Sequence, residues 1–122
     1  MQITHAKLKY LLTAAELQKD DEKGFRGIDL AIQLGVSRAS VRKMLMKFTQ
    51  EGYLGHESQY YYVLTEKGKA EIQLYMKYYD RLQIFFKEKM ELTDFESKEC
   101  SLSILSVLPL DELKRVCDKL SE

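Results

Sequence analysis

The stretch Leu34-Gly35-Val36-Ser37-Arg38-Ala39-Ser40-Val41 decides how this chain is read. Gly35 can take the left-handed backbone that ends a helix at low cost. Val36 can plug the corner between two helices, and Ser37 is a good N-cap for the second of them. Upstream, Gly27-Ile28-Asp29-Leu30-Ala31-Ile32-Gln33-Leu34 predicts a short helix with Ile28, Ala31, Ile32 and Leu34 turned to a core. Downstream, a helix from Arg38 to about Glu51 carries Val41, Leu45 and Phe48 on one side, with Met44 at the margin. Its other side presents Arg38, Ala39, Arg42, Lys43, Met46, Lys47 and Gln50, with Ser40 at the edge, and no acid falls between Ser37 and Gln50.

Small residues at the start of such a helix permit close approach, and long cations farther along reach phosphates and base edges; DNA asks this of a recognition helix. A solvated basic face is the plainer reading of the charge alone. The segment after the helix favours DNA. Beyond Gly52 the pattern changes period, and Tyr53-Leu54-Gly55 and Tyr60-Tyr61-Tyr62-Val63-Leu64 predict a two-stranded hairpin with His56, Glu57, Ser58 and Gln59 at its tip. Thr65 then caps a long helix to about Met90, with an apolar stripe of Ile72, Tyr75, Met76, Tyr79, Leu82, Phe85 and Phe86. Thr93 or Asp94 caps a further helix that Pro109 ends, and Leu110 to Leu120 forms the last, with Leu113, Val116, Cys117 and Leu120 inward. Ahead of all these, Thr4 to Lys19 predicts a first helix, closed by the polar break Asp20-Asp21-Glu22-Lys23-Gly24.

The chain has 122 residues, one domain's worth, with 45% hydrophobic and 31% charged residues. The 19 basic and 19 acidic groups cancel, but unevenly: residues 1–89 hold 15 and 11, residues 90–122 hold 4 and 8. A local basic stripe still attracts phosphate, because the field that matters lies within a Debye length of about 10 Å. No apolar run nears the ~20 residues of a membrane span, and the start has no signal-peptide core. Cys100 and Cys117 show neither metal-site spacing nor a disulfide framework, so a reducing cytoplasm is the expected location. Two histidines, His5 and His56, and no nucleophile triad, phosphate-binding glycine loop or carboxylate pair give no enzyme signature.

The order helix, helix, Gly-Val-Ser turn, basic helix, hairpin, Leu64-Thr65-Glu66-Lys67-Gly68 is that of a winged helix-turn-helix. The expected fold is mostly α with a small β-hairpin wing: residues 1–68 as a winged helix-turn-helix DNA-binding domain and 69–122 as C-terminal dimerisation helices. The chain also resembles the diphtheria-toxin-repressor family of iron- and manganese-dependent regulators. The likeness runs from Tyr10-Leu11-Leu12-Thr13-Ala14-Ala15-Glu16-Leu17 through Tyr78-Tyr79-Asp80-Arg81-Leu82 to Leu108-Pro109-Leu110-Asp111-Glu112-Leu113. That resemblance implies a homodimer, joined through its C-terminal helices, on a palindromic double-stranded operator. The family's metal positions fall here on Lys9, Leu12, Tyr79, Leu102, Leu105 and Ser106. Protonated lysine has no lone pair to give, leucine none at all, and a divalent site needs several converging oxygen and imidazole ligands. No metal and no other cofactor is therefore expected.

The resulting expectation is a sequence-specific transcriptional regulator, a repressor acting as a homodimer, with the helix at about 37–51 in the major groove. Ser37, Arg38, Ser40, Arg42 and Lys43 would meet bases and phosphates, and Lys47 phosphate. An acidic wing tip leaves little for the minor groove, unless Gln59 or Tyr60 reaches the DNA backbone. Two alternatives stand beside it. One is a repressor answering a small organic effector, like the multiple-antibiotic-resistance repressors, with the aromatic helix 72–86 bordering a pocket; the stretches Tyr60 to Tyr62 and Tyr75, Tyr78 and Tyr79 are the candidates to line it, although such aromatics are more often core or dimer-interface residues. The other is a winged helix used only for protein contacts.

Overall fold

The computed structural model describes residues 4–121. Thr4 starts the first helix, since its Oγ1 accepts from the Lys7 amide at 3.3 Å and its carbonyl from the Leu8 amide at 3.0 Å. The elements run α1 (His5–Asp20), α2 (Gly27–Leu34), α3 (Arg38–Gln50), β1 (Leu54–His56), β2 (Tyr62–Leu64), α4 (Glu66–Glu88), α5 (Asp94–Val107) and α6 (Leu110–Leu120). They form two compact units: Tyr10–Ile72, and the described residues of Met1–Lys9 with Gln73–Glu122. The boundaries fall inside α1 and α4.

In the Tyr10–Ile72 unit the apolar side of α3 does what its spacing predicts: Val41, Leu45 and Phe48 are all buried. Burial of side chains this size is worth roughly 1.5–3 kcal/mol each. Tyr10 and Tyr53 meet the Phe48 ring edge-on, at 6.5 and 6.3 Å between centroids. The inward face of α2 differs from expectation. Leu30 and Ala31 are buried, whereas Ile28 is 38% and Ile32 70% exposed and Leu34 only half-buried. With five apolar residues among eight, the pattern fits more than one face, and α2 is too short for its periodicity to choose. Val36 is not the expected plug either, since it is 39% exposed. The corner closes through backbone instead. Gly35, at φ +67, donates its amide to the carbonyls of Ala31 and Ile32, and the Val36 amide joins it on Ala31.

The wing is an antiparallel hairpin in the register Leu54↔Leu64, Gly55↔Val63, His56↔Tyr62. It is shorter than the aromatic run predicts. Tyr53, Tyr60 and Tyr61 lie outside the strands, and His56 belongs to β1 rather than the tip, with its ring 4.4 Å from that of Tyr62. The sequence reading missed a third partner: Phe25, before α2, exchanges both backbone bonds with Tyr62, at 2.9 and 2.8 Å. After the wing, Thr65 caps α4 by accepting from the Gly68 amide at 3.1 Å and gives its own hydroxyl proton to the Gly52 carbonyl at 2.6 Å. Gly68 has to be glycine, because a Cβ there would collide with the Tyr53 carbonyl oxygen.

In the other unit Tyr75, Tyr79 and Leu82 are buried along α4, and Met76, Phe85 and Phe86 are half-buried. Tyr78, off the predicted stripe, is buried as well. Thr93 is the cap of α5, not Asp94, and forms a full capping box with Glu96. Pro109 precedes α6, whose Leu113 and Cys117 are fully buried while Val116 and Leu120 stay half-buried. Burial pushes the Cys117 thiol up from its ordinary pKa, which leaves it an inert packing group. Four cations of this unit have a carboxylate nearby. Lys9 pairs with Glu99 at 3.0 Å, Lys87 with Asp94, and Lys114 with Asp118 at 3.1 Å, with Arg81 at 4.0 Å from the same Asp118. Among the described residues no helix is long and apolar enough to cross a membrane.

Candidate nucleic-acid interface

The site begins with the Ser37 cap. Its Oγ accepts from the Ser40 amide at 3.1 Å and donates to the Ser40 hydroxyl at 2.9 Å, which fixes the first turn of α3. Along α3 Arg38, Arg42, Lys43 and Lys47 are all exposed, Arg38 in the first turn and Lys47 in the last. Among the described residues none of the four is paired with a carboxylate. The uncompensated positive field of this face is therefore available to an outside anion. Ser37 and Ser40 are exposed too, with their hydroxyls engaged with each other; the Ser40 proton remains free to donate.

The wing loop adds aromatic surface rather than charge. Gln59 and Tyr60 are exposed, Tyr60 at 68%. Tyr60 shares with Arg38 and Arg42 an open groove of about 540 Å³, whose floor is Ile28 and the edges of Val41 and Leu45. Ser37, Ser40, Lys43, Lys47 and Gln59 do not line that groove, so the structure gathers only three of the eight expected contact residues into one concavity. Tyr61 and Tyr62, from the tyrosine run that the sequence offers as a pocket lining, border the groove as well, and Arg26 is the cation that the sequence reading missed. Tyr61 stands beside Tyr60 on the wing side, and Arg26 closes the rim at the start of α2. Arg26 is held by Asp29 through two bonds, at 2.8 and 3.1 Å, and this partner raises its pKa. Its position next to Gly27 was the only hint, since a Cβ at Gly27 would sit 3.4 Å from Leu45 and so α2 begins in contact with α3.

The clasp behind the site is built by α4. Lys67 Nζ donates to the Glu51 carbonyl at 2.7 Å and lies 4.7 Å above the Tyr53 ring. The Thr65 amide donates to the Tyr53 carbonyl at 3.1 Å, and the Tyr53 amide to that of Phe48 at 2.9 Å. Burial, with Glu71 and Glu51 nearby, raises the Tyr53 hydroxyl above its ordinary pKa, so that ring stays neutral. These bonds fix where α3 ends and the wing begins.

The positions where the resemblance expects metal ligands do not fit a metal. Leu12, Tyr79, Leu102 and Leu105 are buried packing residues, and the Lys9 ammonium is tied to Glu99. Among the described residues no group of three or more His, Cys, Asp or Glu side chains could hold an ion.

No family profile matches the sequence. No curated protein matches it either. Solved structures do. The hypothetical protein SSo2273 from Sulfolobus solfataricus superposes with a TM-score of 0.62 at 18% identity, over 97% of this chain and 86% of that one. The metal-dependent transcriptional regulator MtsR reaches 0.77 at 18% identity, over 93% of this chain and 52% of its own. IdeR of T. acidophilum reaches 0.69 at 17% identity, over 100% of this chain and 56% of its own. The chain thus spans about half the length of these last two. Identities this low establish architecture, and the architecture they establish is the mostly helical winged-helix fold that this chain shares with MtsR and IdeR.

Proposed function

We propose that the chain is a sequence-specific DNA-binding transcriptional regulator, a cytoplasmic repressor acting as a homodimer and independent of metal. The observation that carries this reading is the face of α3, where four cations stand exposed with no carboxylate on any of them, on the helix that follows the Gly35 turn. Residues 1–68 serve as the DNA-binding part and 69–122 as the dimerising part. In the second part Ile84, Met90, Phe95, Val107 and Leu110 are large apolar side chains left between 41% and 72% exposed, which supports a partner surface there. What MtsR is named for, metal-dependent regulation, fits the regulatory half of the reading but finds no ligand set here.

Two recognition helices related by a two-fold axis enter major grooves about one turn apart. Ser37, Arg38, Ser40, Arg42 and Lys43 meet bases and phosphates and Lys47 meets phosphate, with Gln59 and Tyr60 against the backbone from the wing. Fluorescence anisotropy on the DNA upstream of its own gene, over a salt series with and without chelator, tests it. Salt-dependent binding that survives chelation is the expected result. Binding lost with chelator and restored by Mn²⁺ or Fe²⁺ overturns metal independence. No binding at low salt overturns the DNA reading and favours a protein-contact role. The aromatic helix is a poor place for an effector, because Tyr75, Tyr78 and Tyr79 are packed at 4–8% exposure.

A further inference from the structure

We infer that the groove between α3 and the wing loop binds an organic carboxylate with a flat aromatic body, and that this occupant excludes DNA. The inference rests on the DNA reading for its regulatory half; the binding site itself stands on the groove's chemistry.

A phosphate-only surface needs cations and little else. This concavity has more. Its volume of about 540 Å³ lies within the range typical of small-molecule pockets. Ile28 and the edges of Val41 and Leu45 make an apolar floor that no phosphate could use. Tyr60 and Tyr61 stand on the wing side, where they offer ring surface to a flat partner. Arg38 and Arg42 lie one helical turn apart on α3 and border the same space with their guanidinium groups uncommitted. A guanidinium fork matches a carboxylate with two parallel hydrogen bonds, and its plane stacks on aromatic rings. The third cation, Arg26, is already satisfied by Asp29, so it shapes the rim and does not add a second anion subsite. One negative charge on an apolar ring system is the ligand this combination selects. A neutral aromatic leaves the guanidinium groups unanswered, and a bare inorganic anion leaves the floor wet.

The coupling to DNA follows from shared groups. Arg38 and Arg42 cannot hold a carboxylate and an operator together, so the ligand and DNA compete. For direct competition the apparent Kd for DNA rises about tenfold when the ligand is present at about ten times its own Kd.

The test uses 1-naphthoate as probe, with 1-naphthamide of the same shape but no charge, and inorganic phosphate, as controls. Calorimetry on the full chain without DNA is expected to show one naphthoate per chain, bound at least about tenfold more tightly than either control, a gap of about 1.4 kcal/mol. Ile28→Glu, at an exposed floor position, is expected to remove at least that tenfold, and Ile28→Leu to keep it, with circular dichroism checking that both fold. On operator DNA, naphthoate is expected to raise the apparent Kd in proportion to its concentration. Equal binding of naphthoate and naphthamide, or binding that survives Ile28→Glu, overturns the site. Naphthoate binding that leaves DNA affinity untouched overturns the competition. Absence of DNA binding in every arm overturns the regulator reading, while the calorimetry still decides the groove.

Discussion

Cations are used differently on α3 and around α4 to α6. In the unit of Gln73–Glu122, Lys87, Lys114 and Arg81 each find a carboxylate, and Lys9 finds Glu99. On α3, Arg38, Arg42, Lys43 and Lys47 find none among the described residues, and the helix contains no acid that could serve. Exposed pairs of the first kind contribute little to stability, with a usual range of about 0–1 kcal/mol. Leaving four like charges unanswered on 13 residues is mildly unfavourable for folding. The difference teaches where to look for function: four unanswered cations gathered on one short helix are where an external anion gains most.

The sharpest way to break this contrast is to remove the free set whole. Replacing Arg38, Arg42, Lys43 and Lys47 with Ala should lower operator affinity by on the order of 10³-fold or more and flatten the salt slope by up to about three to four units per protomer, or about seven for the homodimer. Anisotropy over a salt series reads both. An unchanged slope would mean that these cations meet no phosphate. Arg42→Ala alone should cost about 1–3 kcal/mol with lost discrimination at one base pair if it reads a base, whereas Lys47→Ala should weaken all sequences alike and take about one unit from the slope.

The other unit should answer in stability and stay silent in DNA affinity. Thr93→Ala removes the capping-box oxygen of α5 and should cost about 1 kcal/mol in denaturant unfolding. Its pH dependence has a definite sign. Bonding to Thr93, first to the backbone amide, holds the Glu96 carboxyl below its ordinary pKa. The stabilisation is complete above the unfolded glutamate value of about 4.3 and is lost as pH falls through the lower folded value. The wild-type chain should show this acid edge and Glu96→Gln should not, while Thr93→Ala should weaken it only in part, because the backbone amide that bonds Glu96 survives the change. Smallest of all, Lys87→Ala, which breaks the pair that lowers the Asp94 carboxyl, should change stability by less than about 1 kcal/mol and DNA affinity not at all. A DNA effect from Lys87→Ala as large as that of Lys47→Ala would erase the distinction between the two regions.

Much of this was legible in the chain itself. Val41, Leu45 and Phe48 recur at helical spacing over about two turns, long enough to name the buried side of α3. Ser37, Gly35, Thr65 and Thr93 announce helix ends through local bonds, which sequence carries directly. α2 was misread because its eight residues are mostly apolar and its inward side is chosen by α3, not by its own pattern. The wing came out too long because Tyr60 and Tyr61 have strand propensity, yet the ladder ends at His56↔Tyr62 and the chain turns there, with the Glu57 and Ser58 amides both on the Tyr61 carbonyl. The groove was invisible for a related reason. Arg26, Ile28, Arg42 and Tyr61 come from three separate stretches, and no spacing rule joins them.

The Phe25–Tyr62 exchange has a bearing on the order in which this unit assembles. β2 is stitched to distant chain on both sides: Tyr62 to Phe25, and the Leu64 amide to the side chain of Gln18, 46 positions away, at 2.8 Å. Closing loops of that length costs entropy before any pairing rewards it. α2, the Gly35 corner and α3 are local and can form early. The β1–β2 hairpin is local as well, with five residues between its strands, but its docking on Phe25 and Gln18 has to wait for the segment before α2 and for α1 to arrive. The hairpin's amides report on the integrity of the whole Tyr10–Ile72 unit, and the wall of the groove that they support exists only once that unit is complete.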